Sequence, residues 1–140
     1  LSNSEVRIEN NTSLAHGCIV HGPCQIGEYC FIGFGAVVFD CTIGKNTLIL
    51  HRAVVRGVEI SEEKVVPDGA IITSPESANT LEALTADFAN FKESVVRANI
   101  ELVKGYTDLH IGAQDILLSA FQENDTEENQ DIGEYELQNN

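Results

Sequence analysis

Aliphatic residues recur along the first sixty positions at a period that fits neither an ordinary strand nor a helix. Ile8, Leu14, Val20, Ile26, Ile32 and Val38 follow one another every six residues, and Ile43, Ile49 and Val55 continue the series after a single five-residue step. Four residues beyond most of these aliphatics lies a small side chain: Thr12, Cys18, Cys24, Cys30, Ala36, Thr47 and Ala53. Glycine follows the aliphatic at Gly27, Gly33 and Gly44, where a tight bend tolerates only a small residue. A hexapeptide period with one aliphatic per repeat predicts a parallel β-helix. Each repeat is a short strand and a corner, and stacked coils bury the aliphatic column. From Ile8 to Ile60 the spacing predicts about three coils, at the ~4.8 Å separation of hydrogen-bonded strands.

Downstream, "VPDGAIITSP" reads as one more extended segment and a turn, and the period changes at Thr85. Asp87 supplies acid in a first helical turn, and Phe88, Phe91, Val95 and Leu102 recur at helical spacing until Gly105. This predicts an amphipathic helix from Ala86 to Lys104 packed along the β-helix. Asn99 lies on its apolar face, and a second, weaker helical run starts at Ala113. The predicted organisation is a repeat domain over 1–75, a helical segment over 76–121 and a tail over 122–140. The tail holds seven acids and no Lys or Arg, which accounts for half of the formal charge of −14, and it is expected to be disordered.

That charge argues against a phosphate-binding surface, so neither nucleic acid nor an anionic membrane is an expected partner. No apolar run approaches the roughly 18 residues of a membrane span. A soluble protein of the cytoplasm or an organelle interior is expected. Leu1 opens a chain without methionine, so it is expected to be part of a longer product. The cysteines fill the small-residue slot of the repeat and are therefore predicted to be reduced packing thiols, not a disulfide framework or a zinc knuckle.

The candidate chemistry lies in "LAHGCIVHGP", from Leu14 to Pro23. In the hexapeptide register His16 and His21 both face outward and diverge around a corner of the coil. One chain does not easily bring both rings to one ion, whereas neighbouring subunits of a three-fold oligomer can each lend one. His51 falls in the column of His16 two coils later, with Phe34 between them. That separation of roughly 9–10 Å is too long for metal–nitrogen bonds of about 2.0–2.1 Å. His51 is read as a surface or interface residue, and His110 as a structural histidine in a loop.

The stretch "NNTSLAHGCIVHGPCQIGEYCFIGFGAVVFDCTIGKNTLIL", with "VPDGAIIT" and "VVRANIELVKGY", resembles the second half of the γ-class carbonic anhydrase family over roughly Val6 to Tyr106. The resemblance implies a homotrimer of left-handed β-helices with the C-terminal helix alongside. It also implies zinc, or iron or cobalt, held between subunits on three histidines, two of them matched by His16 and His21. The third, with a buried Arg–Asp pair, belongs to an earlier coil that precedes this sequence. Asn99 matches a helix asparagine that borders the site, whereas Arg97 stands where the best-known member has tyrosine. The implied activity is reversible CO2 hydration. A metal on neutral imidazoles lowers the pKa of a bound water to about 7, so that hydroxide exists at neutral pH. Two alternatives stay open: a non-catalytic scaffold or assembly subunit of the same family, and a hexapeptide acyltransferase with a histidine base.

Overall fold

The computed structural model describes the backbone of residues 4–137 and the side chains of residues 4–114. The chain divides into two units, 1–99 and 100–140.

The first unit is a parallel β-helix of about four turns whose short strands stack on three walls. β1 (Val6–Ile8), β2 (Ser13–Leu14) and the start of β3 (Ile19–Ile26) make the first turn. The rest of β3, β4 (Phe31–Ile32) and the start of β5 (Val37–Ile43) make the second. The end of β5, β6 (Leu48–Ile49) and β7 (Val54–Arg56) follow, and then β8 (Glu59–Ile60), β9 (Lys64–Val66) and β10 (Ile71–Ile72). β3 and β5 each bend round a corner and so serve two walls.

The five-residue step of the sequence is visible as a change of register. Val6 pairs with Cys24 and Ser13 with Phe31, eighteen residues on, whereas Cys24 pairs with Cys41 and Phe31 with Leu48, seventeen on. The shift falls between His21 and Cys24, where Gly22 and Pro23 oppose the single residue Asp40, which is the geometry of a β-bulge.

The aliphatic column is the core. Ile26, Ile32, Val38, Ile43, Ile49 and Val55 are buried, and Ile60, Val66 and Ile72 extend the column into the fourth turn. Ile8 and Leu14 of the first turn are exposed, because stacked coils shield this column only from neighbouring turns. The glycines after the aliphatic are required by close approach. A Cβ on Gly27, Gly33 or Gly44 would lie 2.7, 2.8 or 2.4 Å from a backbone nitrogen of the next turn. The left-handed corners fall on other residues, in columns such as Gly17, Gly35, Arg52 and Gly69.

Outward residues distinguish the walls. One carries Arg7, Gln25, Thr42 and Glu59 in register and is polar. The second carries Ser13, Phe31, Leu48 and Val65, all buried. The third carries Ile19, Val37, Val54 and Ile71, of which Ile19 and Ile71 are 56% and 68% exposed.

The fourth turn is closed by α1 (Pro75–Asn79), which Ser74 caps through a reciprocal hydrogen-bond pair with Ser77, and by β11 (Glu82–Ala83), antiparallel to β9. α2 (Ala86–Leu137) then starts along the second wall. The ring of Phe91 meets Phe31 edge-on at 5.5 Å, Lys92 donates to Asn46, and Asn99 Nδ2 donates to Ser13 Oγ at 3.1 Å. The helix therefore passes from the third turn back towards the first.

Helix α2 does not stop at Gly105, nor is there a break before Ala113. A glycine in a helix interior costs only about 1 kcal/mol relative to alanine, too little to end a helix without a proline behind it. In the second unit Leu102, Val103, Tyr106 and Leu109 are exposed. The disorder expected of 122–140 concerns residues whose side chains lie outside those described. No helix among the described residues is long and apolar enough to cross a membrane.

Candidate metal centre

His16 and His21 lie at opposite ends of the first-turn strand on the third wall. His16 precedes the left-handed corner at Gly17, and His21 precedes the bulge at Gly22–Pro23. Both rings are exposed, as the hexapeptide register required. The outward column of His16 continues with Phe34, His51 and Asp68, and that of His21 with Phe39 and Arg56.

The two imidazoles differ in how they are held. His21 Nδ1 is 2.7 Å from the carbonyl oxygen of Gly22. An acceptor there requires Nδ1 to carry the proton, which leaves the Nε2 lone pair for another partner. A backbone carbonyl on one ring nitrogen is the arrangement that orients a metal-ligating histidine. The Phe39 ring packs against His21 at 4.9 Å and 81°, an edge contact that limits rotation. His16 lies face to face with Phe34 at 5.9 Å and 23°.

His51 is differently committed. The Phe34 N–H donates to His51 Nδ1 at 3.0 Å, so this ring holds its proton on Nε2, the tautomer opposite to that of His21. Phe34 stacks on His51 at 4.7 Å and lies between it and His16, as the column predicts. Asp68 Oδ1 accepts from the His51 backbone N–H at 2.9 Å. His110 is not in a loop. It sits within α2, where its Nε2 lies 3.2 Å from Gln114 Nε2 one turn on.

Asn99 is brought to the second wall, where its amide reaches Ser13, three residues before His16. Through that bond it docks the helix on β2, away from the hydrogen bond of the His21 imidazole. Among the described residues no three His, Cys, Asp or Glu converge on a common point.

Two features of the surroundings have no place in the sequence pattern drawn above. Lys92 interrupts the apolar face of α2, yet it is buried, with Asn46 accepting its ammonium. Burial pulls its pKa below the ordinary lysine value, against the opposing pull of Cys30 and Glu63. Cys41 is the second. The five-residue step comes just before it, at Asp40, so Cys41 fills the small slot of its turn, directly over Cys24. All four cysteines are free. Burial pushes the thiols of Cys18 and Cys30 up, and Cys30 Sγ donates to the Gly44 carbonyl at 3.2 Å, which suits packing and not nucleophilic chemistry.

The six-residue period and the stacked parallel turns are those of a hexapeptide repeat, and residues 5–39 match the bacterial transferase hexapeptide (six repeats) family. Within that class the resemblance to γ-class carbonic anhydrases holds. Over 105 residues the chain is 39% identical to the carbonic anhydrase of Methanosarcina thermophila, covering 74% of this chain and 42% of that protein. It is 34% identical over 101 residues to the carboxysome assembly protein CcmM of Nostoc sp., covering 72% of this chain and 18% of that protein. The carnitine operon protein CaiE of Escherichia coli is 33% identical over 64 residues, or 42% of this chain and 33% of CaiE. The chain thus spans less than half the length of the relatives it matches.

Proposed function

We propose that this chain is a carbonic anhydrase-like β-helix that associates through its third wall, with His16 and His21 as metal ligands for reversible CO2 hydration at a trimer interface. The observation that carries this reading is the state of His21. Its Nδ1 is committed to the Gly22 carbonyl, its Nε2 is left for a partner, and it stands on the apolar wall whose Ile19 and Ile71 are exposed.

The residues of the chain divide the work. The Gly22 carbonyl fixes the tautomer of His21 and Phe39 holds its plane, while Phe34 supports His16. Ile19, Val37 and Val54 exclude water from an interface formed on this wall. The rings stand at opposite ends of one strand, so His16 of one subunit meets His21 of the next rather than its own. His16 and His21 would hold zinc, or iron or cobalt, which when bound would supply the Lewis acidity that brings the pKa of a water to about 7. Asn99 keeps α2 on β2 through Ser13, and its assignment as a neighbour of the site rests on the family resemblance.

Zinc content, sedimentation and CO2 hydration of the 140-residue chain, measured beside His16→Ala and His21→Ala, test this reading. Two imidazoles hold zinc less tightly than three, so the chain is expected to retain zinc below stoichiometry. Either substitution should lower the retained zinc at least tenfold while leaving the oligomer intact. Zinc retention unchanged in both variants overturns the ligand assignment. A second reading, a non-catalytic scaffold of the same family, draws on the similarity to CcmM, whose name describes an assembly protein. A stable trimer with neither zinc nor CO2 hydration after zinc is supplied favours it.

A further inference from the structure

Cys24 and Cys41 are register partners on adjacent parallel strands, and their Sγ atoms are 3.6 Å apart. Neighbouring strands run about 4.8 Å apart, so paired Cα atoms fall within the roughly 4.4–6.8 Å that a disulfide spans. Cys18 and Cys30 have no such sulfur neighbour in the hydrogen-bond network of the described residues.

We propose that Cys24 and Cys41 form a two-electron oxidation site, at which hydrogen peroxide closes a disulfide between the second and third turns of the β-helix. The reaction balances with peroxide alone. The Cys24 thiolate attacks one peroxide oxygen, the O–O bond breaks, and the hydroxide released takes up the thiol's proton as water. Cys41 sulfur then attacks the sulfenic sulfur of Cys24. The S–S bond forms, the S–O bond breaks, and the departing hydroxide leaves as a second water with the proton of Cys41. Two thiols lose one electron each, and both peroxide oxygens end as water.

The Sγ–Sγ contact, in which either thiol can donate, serves either order of attack. That contact holds the Cys24 thiol below its ordinary pKa and, with burial, pushes the Cys41 thiol up, which supports Cys24 as the nucleophile and Cys41 as the resolving thiol. Cys24 is fully buried, but Cys41 lines a surface groove of about 770 Å³ together with Pro23, Asp40 and Gly57. Peroxide is little larger than water, and the ladder beside this groove is already interrupted by the bulge. The bridge closes a loop across one turn and ties β3 to β5 just beyond the point where His21 rests on Phe39.

The full chain is treated with peroxide, quenched, and titrated for thiols under denaturant, followed by peptide mapping without reduction. The expected result is a fall from four thiols to two, a linked peptide pair containing Cys24 and Cys41, a thermal midpoint above that of the reduced chain, and recovery of four thiols with dithiothreitol. Cys41→Ala, which keeps a small residue in the slot, should lose the linked pair, whereas Cys18→Ala should keep it. The proposal is overturned if all four thiols survive until the chain unfolds, if the bridge involves Cys18 or Cys30 or a second molecule, or if Cys24 is over-oxidised without pairing.

Discussion

The second and third walls of the β-helix present nearly the same kind of outward residue and meet different fates. Phe31, Leu48 and Val65 on the second wall are buried, with Phe91 and Lys92 of α2 reaching across to Phe31 and Asn46. Ile19, Val37, Val54 and Ile71 on the third wall form an equally regular column, in which Val37 and Val54 are half-buried and Ile19 and Ile71 at its ends are exposed. An apolar wall is thus not by itself part of a subunit's core. The chain shields one such wall with its own helix and leaves Ile19 and Ile71 of the other, which bears both candidate metal ligands, exposed.

Substitutions on the two walls should therefore part company. Leu48→Ala removes a fully buried side chain and should destabilise the fold by about 3 kcal/mol, read as a lower urea midpoint at unchanged slope. Gly44→Ala should be comparably damaging, because its Cβ would meet the Glu62 backbone nitrogen at 2.4 Å and neither backbone can yield without breaking the ladder. A near-neutral result at either position would mean that the turns stack more loosely than the register implies.

Phe91→Ala sharpens the comparison from the helix side. The ring is 41% exposed and touches Phe31 by its edge, so its loss should cost about 1–2 kcal/mol, less than the full burial that helical periodicity alone suggests. On the third wall, Ile71→Ser should change the stability of the isolated subunit by less than about 0.5 kcal/mol. It should nevertheless weaken self-association in sedimentation. A large loss of stability without a change in association would show that this wall belongs to the subunit's own core.

The smallest effect is a pH dependence. The folded-state pKa of Lys92 is lowered by burial, so between that value and the ordinary 10.5 the unfolded chain binds more protons than the folded one. Stability then rises with pH across this window. Wild type should gain on Lys92→Met as the pH climbs towards 10.5, and parallel urea midpoints for the two proteins would refute the burial of a charged Lys92.

The six-residue period, the five-residue step and the column of aliphatics are enough to specify the stacked turns of a β-helix. Each turn repeats the same local demand, a small residue at the corner and an aliphatic facing inward. The outward placement of His16 and His21, and the Phe34 that separates His16 from His51, follow from the same arithmetic, because alternation along a short strand leaves no other face. Three-dimensional packing decided what such arithmetic does not carry. The six-residue count could not locate the deletion at Asp40 and so overlooked Cys41, because only the paired register shows which residue is skipped. Lys92 falls by helical period on the apolar face, and only the fold shows that it is buried there with Asn46 accepting from its ammonium. The glycines were expected at tight bends, but they are required by a neighbouring turn seventeen or eighteen residues away, a contact that local sequence does not encode. The tautomer of His21 was likewise set by the fold, since it depends on where the Gly22 carbonyl points after the chain turns at the bulge.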